Sequence, residues 1–354
     1  MLKEKKIWLF ANTKWFIFRF KFQLIANLSE TNNIDCFYLR DGPPINLEEF
    51  SSLSKKGINF YKINLKLLLN IILKRIFFKS KKLITPLECP NLLIFFTFSQ
   101  IIISFLFLRK YKKQSVYVLE GLGRIFSSKL IIFRFIKRIV LILYKYNFKN
   151  CKKLITLNYY DALFLSENKV ASISKIDVIP GTGIDTIQLK DQFYSYCHEP
   201  EYIDYMSRLV VDKGYLKFIY TRLCFLNLNP ELAKNHLFRI ITPQEDINNF
   251  SKKEIEYFNK IGIILLPYKS NVSEYYSKSK IIIYPSFYGE GISRLVLEVS
   301  YLGIPLLVNR NRGIEEILPL NYKYYIKSMN PLSITNQLLE IIQDEEYFKN
   351  ITPS

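Results

Sequence analysis

"KIIIYPSFYGEGISRLVLEVSYLGIPLLVNR", residues 280–310, reads as strand, loop, helix and strand. "KIIIY" is a short apolar run rich in β-branched residues, Pro285 and Ser286 turn the chain, and "GIP" at 303–305 stops a helix. "IPLLVNR" is the next strand. Two apolar strands joined through a helix predict a parallel pair covered on both faces. Gly289 and Gly291 in the loop lack side chains and let a ligand approach the backbone. With a helix starting near Ser293, the amides of Gly291, Ile292 and Ser293 have no intrahelical partner. They form an anion site worth about 0.3–2 kcal/mol from the helix dipole. Leu295, Val296, Val299 and Leu302 form the buried face, with Glu298 at its edge and Glu290 back in the loop. Each acid also has an ordinary reading. Glu290 would be a solvated loop carboxylate, and Glu298 would pair with Arg294 one turn earlier, for about 0.3–0.5 kcal/mol.

Outward from this stretch the same alternation continues. The second half adds the strands "LFRIIT" and "IILLP" and the helices "YLKFIYTRL", "SKKEIEYFNKIG" and "NVSEYYSKS". Its last helix, "PLSITNQLLEIIQDEEYF", is expected to carry a Ser or Thr N-cap. The first half offers "KIWLFAN", "DCFYL", "INFYKI", "QSVYVLE" and "KKLITLN" as strands, with helices near 19–29 and at "YYDALFL". "KIDVIPGTGIDTIQLK" holds the last strand of this half and the start of a connector. The predicted fold is α/β: two Rossmann-like domains, 1–185 and 186–354, facing each other across a cleft between the carboxyl ends of their strands.

Composition narrows the function. The chain has 354 residues, 49% hydrophobic and 16% aromatic, which excludes global disorder. A formal charge of +19 draws an anionic partner: nucleic acid, an acidic membrane or a phosphorylated substrate. Nucleic acid fits poorly, because the cations sit among long aliphatic runs instead of a polar stripe with stacking aromatics. Five scattered cysteines suggest no disulfide framework, two histidines are too few for a histidine metal site, and the N-terminus lacks a signal-peptide pattern, so a cytoplasmic location is expected. "LLIFFTFSQIIISFLFL", 92–108, would reach only about 25 Å as a helix and carries four polar residues, so a buried strand and helix are expected there. Two segments, 64–82 and 130–149, set lysines and arginines in a stripe along an apolar helix. In the second the cations are Arg134, Lys137, Arg138 and Lys145. Such a helix lies in a membrane interface, as peripheral membrane contact, or is buried with its cations at the rim.

"SRLVVDKG", 207–214, places Arg208 at a strand end and Lys213 beside a helix start. An arginine fork and a lysine point charge across one tight loop suit a diphosphate, or they are two exposed surface cations. With the helix-terminus amides and two hydroxyl-accepting carboxylates, they describe a nucleotide-sugar pocket.

"SRLVVDKG" and "YPSFYGEGISRLVLEVSYLGIPLLVNRNRGIEEIL" resemble the two signatures of retaining glycosyltransferases of family 4, which have the GT-B fold, and among them the members that build capsular and lipopolysaccharide chains. The looser matches "FANTKWFIFRFK", "VLEGLGRIF", "ITLNYYDALFL" and "VIPGTGID" extend the likeness to about 7–320. The resemblance implies an acceptor-side N-terminal domain and a C-terminal domain that binds the nucleotide sugar. It assigns Glu298 to the ribose hydroxyls, Glu290 to the donor sugar, Arg208 and Lys213 to the diphosphate, and the Gly291–Ser293 amides to sugar and phosphate contacts. Three positions depart from the family's pattern. Glu120 stands where many relatives have histidine, Glu315 stands where a basic residue is usual, and "ITPQED" replaces a glycine-rich loop. The expected activity is transfer of a sugar from a UDP-sugar to a lipid-linked or cell-surface glycan. No metal or other cofactor is expected, and the work would take place at the inner face of a bacterial membrane. The alternatives are a non-catalytic donor-binding or scaffold subunit and, behind it, a nucleic-acid-binding protein.

Overall fold

The structure is a computed structural model and describes residues 5–42, 45, 47–64, 89–127, 131–181, 183–195, 201–269, 271–289 and 291–344. Contacts divide the chain into two compact units, Met1–Thr182 and Gly183–Ser354.

Unit 1 is built on β1 (Lys5–Thr13), α1 (Lys14–Ser29), β2 (Asn32–Arg40), α2 (Leu47–Lys55), β3 (Asn59–Lys62), β4 (Leu92–Phe96), α3 (Phe98–Phe107), β5 (Ser115–Leu119), α4 (Ile131–Phe148), β6 (Lys153–Thr156), α5 (Tyr159–Glu167) and β7 (Ile176–Val178). Among the described residues the strands form one parallel sheet in the order β3-β2-β1-β4-β5-β6-β7. The central strand β1 buries Ile7, Trp8, Leu9, Phe10 and Ala11 in succession, the mark of a strand covered on both faces. Helix α1 begins five residues before the expected start. The Thr13 hydroxyl accepts from the Phe16 amide at 3.0 Å and caps it there.

The apolar stretch 92–108 divides as expected into β4 and α3, turning at Thr97 with φ 75°. Its polar residues anchor the helix to the sheet: the Gln100 side-chain amide donates to the Ala11 carbonyl at 2.7 Å, and the Ser104 and Tyr117 hydroxyls bond each other. Among the described residues, no helix is long and apolar enough to cross a membrane. The basic stripe expected at 64–82 lies outside the described residues, apart from Asn64.

Unit 2 opens with α6 (Thr186–Ser195) and continues through β8 (Tyr202–Met206), α7 (Tyr215–Leu228), β9 (Phe238–Thr242), α8 (Lys252–Lys260), β10 (Ile263–Pro267), β11 (Ser279–Tyr284), α9 (Arg294–Tyr301), β12 (Leu306–Val308) and α10 (Pro331–Ile342). Its described strands form a parallel sheet in the order β10-β9-β8-β11-β12. In both units the order reverses beside the first strand, which leaves a crevice at the strands' carboxyl ends. Alternate residues split the core: Ile203, Tyr205, Ile281 and Ile283 pack on one face with α7 and α10, and Met206, Ile282 and Tyr284 on the other with α9. The cap of α10 corrects the sequence reading. Pro331 occupies the first helical position and Asn330 caps, its side-chain oxygen accepting from the Leu332 amide at 3.0 Å. Proline has no amide proton to lose there, so the helix starts ahead of Ser333 and Thr335.

Candidate functional site: the strand-end loops of unit 2

The loop after β8 makes a single 3-10 turn at Val211–Lys213, and α7 follows Gly214. Gly214 adopts φ +83°, and a Cβ there would lie 2.3 Å from the Pro285 carbonyl oxygen. A side chain is excluded both by backbone conformation and by space. The loop is joined to the one after β11 by the Phe287 amide donating to the Asp212 carbonyl at 3.0 Å. From the β9 end, Asp246 holds the same loop, accepting from the Leu209 amide at 2.8 Å and the Thr242 hydroxyl at 3.0 Å. Asp246 lies in "ITPQED". Its role was missed in sequence, where the only signal was an acid just beyond a strand end.

The two expected cations differ. Lys213 is 9% exposed: its ammonium donates to the Tyr284 hydroxyl at 3.2 Å and lies 4.9 Å from the centre of the Tyr288 ring. Arg208 is exposed, and its carbonyl accepts from the Tyr205 hydroxyl at 3.0 Å. The loop therefore joins Lys213 to the "PSFYG" segment and leaves the Arg208 side chain towards solvent.

Ser286 is fully buried, its carbonyl accepting from Asn309 at 3.0 Å and Asn311 at 3.4 Å. Asn311 also caps the short helix Arg312–Glu315, in which Glu315 pairs with Arg310 at 2.5 Å. Arg310 thus stands beside Glu315, the position where the resemblance expects a basic residue.

Helix α9 starts where the sequence placed it, beside Ser293. Ser293, 4% exposed, is its N-cap, makes no side-chain capping bond, and accepts the Leu297 amide through its carbonyl at 3.1 Å. The first-turn amides without an intrahelical acceptor are those of Ser293 and Arg294–Val296, so of the expected Gly291–Ser293 set Ser293 lies in the first turn and Gly291 and Ile292 in the loop before it. Gly291 and Ser293 are buried; Gly289 and Ile292 are half-buried. Glu290 lies outside the described residues.

Glu298 is 4% exposed and doubly held, by Arg294 Nε at 2.6 Å on Oε1 and by the Tyr276 hydroxyl at 2.7 Å on Oε2. The ion pair is thus present, and Tyr276 is a partner the sequence did not reveal. A carboxylate offers about four lone-pair sites, so two remain for other donors. Among the described residues no group of three or more His, Cys, Asp or Glu side chains is placed to hold a metal ion.

In unit 1, Glu120 follows β5 and pairs with Lys21 of α1 at 2.5 Å. Burial pushes the Glu120 carboxyl above the usual range, and Lys21 pulls against it. Lys21 itself is 6% exposed and lies 4.7 Å from the centre of the Phe96 ring.

Comparison with known proteins bears on the same unit. Residues 197–353, all within unit 2, match the family model described as Glycosyl transferases group 1. A Campylobacter jejuni protein, N,N'-diacetylbacillosaminyl-diphospho-undecaprenol alpha-1,3-N-acetylgalactosaminyltransferase, is 23% identical over 245 residues, covering 66% of this chain. That match spans 62% of the relative's own length. Among solved structures, Anabaena Alr3699/HepE in complex with UDP and glucose superposes with a TM-score of 0.68 at 12% identity, covering 98% of this chain and 92% of that one. A glycosyltransferase from Rickettsia africae gives 0.60 at 15%, covering 98% and 91%. The chain has the α/β fold of the GT-B class, and the segment that matches the group 1 family model holds both strand-end loops described above.

Proposed function

We propose that this chain is a retaining, metal-independent glycosyltransferase of family 4 that moves a sugar from a UDP-sugar to a lipid-linked or cell-surface polysaccharide acceptor, of the capsular or lipopolysaccharide kind. The observation that carries the reading is the seating of Lys213 and Gly214 against Pro285 and Tyr284–Tyr288, inside the segment that matches the group 1 family. A cation held at a helix start is the arrangement a diphosphate needs. The UDP and glucose in the Anabaena structure support the donor class, and the diphospho-undecaprenol in the Campylobacter relative's name supports a lipid-linked acceptor. The cytosolic face of a bacterial membrane is where such an acceptor is extended.

The acceptor oxygen bonds to the anomeric carbon on the face from which the diphosphate leaves, and its proton passes to the departing phosphate oxygen. The protein's contribution is then electrostatic. Lys213 and Arg208 neutralise charge gathering on the leaving diphosphate, together with the amides that open α9, and Lys213, already seated against Tyr284 and Tyr288, needs no reorganisation at the moment of reaction. Glu298 takes the ribose hydroxyls on its two remaining lone pairs, and Glu290 takes the donor sugar. Unit 1 serves the acceptor.

A second reading, a donor-binding subunit without transfer activity, draws on Glu120. It replaces the family's usual histidine and is engaged by Lys21. Calorimetry with UDP-, GDP- and ADP-sugars, followed by product analysis with a lipid-linked acceptor, separates the two. UDP-sugar binding with UDP release and an α-linked product is expected. Binding without release supports the second reading, and no binding to any donor overturns both.

A further inference from the structure

Helix α4, Ile131–Phe148, packs on unit 1 through Val140, Tyr144, Asn147 and Phe148. Its other face is bare. Ile131 is 81% exposed, Ile132 65%, Phe135 66%, Ile139 45% and Ile142 68%. At 100° per residue these side chains, with the exposed Arg134, Arg138 and Lys145, occupy an arc of roughly 160°. The three cations fall along one border of that arc and the apolar residues along the rest. An exposed Ile or Phe standing alone is ordinary, whereas a contiguous apolar stripe marks an interaction surface.

The surrounding charge says what kind of surface it is. Between residues 89 and 160 the sequence has thirteen lysines and arginines and a single acid, Glu120, which Lys21 engages. At the carboxyl end of α4 the basic turn Arg109–Gln114 closes on the helix: Arg109 Nε donates to the Tyr146 hydroxyl at 3.0 Å and Lys112 Nζ to the Tyr146 carbonyl at 2.8 Å. A self-paired α4 would bring like charges together with no acid on the segment to answer them. An anionic headgroup layer supplies the missing charge, and the acyl boundary beneath it takes the aliphatic side chains. At 18 residues the helix is about 27 Å long and would lie in the interface plane.

We infer that the exposed face of α4 docks unit 1 on an anionic lipid bilayer, with Ile132, Phe135, Ile139 and Ile142 entering the acyl boundary and Arg134, Arg138 and Lys145 at the headgroups. The inference does not depend on the donor site, which lies in unit 2.

Flotation of the full chain with vesicles of phosphatidylcholine, alone or mixed with phosphatidylglycerol, tests it. The chain is expected to float with the mixed vesicles at low salt and to fall away with added salt. The triple variant Arg134→Gln, Arg138→Gln, Lys145→Gln is expected to partition about a hundredfold more weakly, from the loss of three interfacial cations. The triple variant Phe135→Ser, Ile139→Ser, Ile142→Ser is also expected to stay in solution, with an unchanged melting temperature because its altered side chains are exposed. The tryptophan emission of Phe135→Trp is expected to shift to the blue on mixed vesicles only. Wild-type flotation by either triple variant overturns the inference. So does a chain that ignores vesicles and forms a dimer that the serine variant breaks, which would assign the face to a second copy.

Discussion

In unit 2 the loops after β8 and β11 are tied through backbone, the Phe287 amide on the Asp212 carbonyl and a glycine pressed against the Pro285 carbonyl oxygen. In unit 1 the neighbouring β1 and β4 run almost directly into helices, and the ties are side chains: Gln100 to the Ala11 carbonyl, and Lys21 of α1 to Glu120 beyond β5. The buried charges differ in the same sense. Asp204, fully buried in β8, is gripped by Arg239 at 2.8 Å and 2.6 Å and bonded by the Ser279 hydroxyl; Arg239 also donates to the Tyr275 carbonyl at 3.0 Å. Lys21 and Glu120 make one contact, with Glu120 18% exposed. Unit 2 thus ties its strand-end loops through backbone and holds its buried acid with a two-bond grip and a hydroxyl, whereas unit 1 pairs its acid through one lysine.

The largest expected effect breaks that comparison at its strongest point. Arg239→Met leaves Asp204 buried without its fork and is expected to cost about 3–5 kcal/mol in urea unfolding. Lys21→Met is expected to cost less, because Glu120 is 18% exposed and loses one contact, whereas Asp204 is fully buried and loses a two-bond grip. Burial already raises the Glu120 carboxyl and Lys21 only restrains the rise. That cost grows as pH rises through the folded pKa of Glu120 and falls away below it, where the carboxyl is protonated with or without Lys21. Equal costs for the two variants at neutral pH would erase the distinction between the units.

Next comes the site itself. Lys213→Ala and Arg208→Ala are each expected to lower turnover a hundredfold or more, as removal of one preorganised charge does, roughly 3–4 kcal/mol at most. Because Arg208 is exposed and Lys213 is seated against Tyr284 and Tyr288, a deficit confined to Lys213 would narrow the diphosphate contact to the fixed cation. Gly214→Ala is expected to cost about 1–3 kcal/mol from the left-handed φ alone. The Pro285 carbonyl adds to that, so chemical denaturation of this variant checks whether the two loops are fastened as described.

These residues also explain what could be read without coordinates. Gly214, Pro285 and the glycine before Ile304 are backbone devices, and such devices require particular residue types at particular places. Strands β8 and β11, the loops that follow them and the end of α9 were legible for that reason. The side-chain ties were not. Arg222 in "YTRLCF" carries no local sign of burial, yet it is 2% exposed and donates to the carbonyls of Ile261, Ala233 and His236. Nothing local encodes where three carbonyls will converge. The Tyr276 bond to Glu298 and the Lys21–Glu120 ion pair span 22 and 99 positions and belong to the same class. Glu298 shows the limit of such reading: its ion pair with Arg294 was expected from spacing, whereas its burial was not.

The smallest expected effect sharpens the comparison through pH. His236 is buried in unit 2, with Nδ1 2.9 Å from the Leu232 carbonyl and Nε2 3.2 Å from Lys280 Nζ, a pairing that requires neutral imidazole protonated on Nδ1. Burial holds its pKa below the ordinary 6.5, the Lys280 and Arg222 charges press the same way, and the Leu232 bond opposes them. The unfolded chain therefore binds a proton near pH 6 that the folded chain refuses. Stability attributable to His236 is complete above pH 6.5 and falls by up to about 1.4 kcal/mol per pH unit below it, until the folded pKa is reached. Glu120 in unit 1 acts with the opposite sign: its raised carboxyl favours the fold as pH falls. His236→Asn, which keeps a donor for Leu232, is expected to flatten the loss between pH 6.5 and 5.5 while leaving the Glu120 response intact. Melting curves of wild type and variant across that range would show it, and parallel curves would mean that His236 is not the group unit 2 must keep neutral.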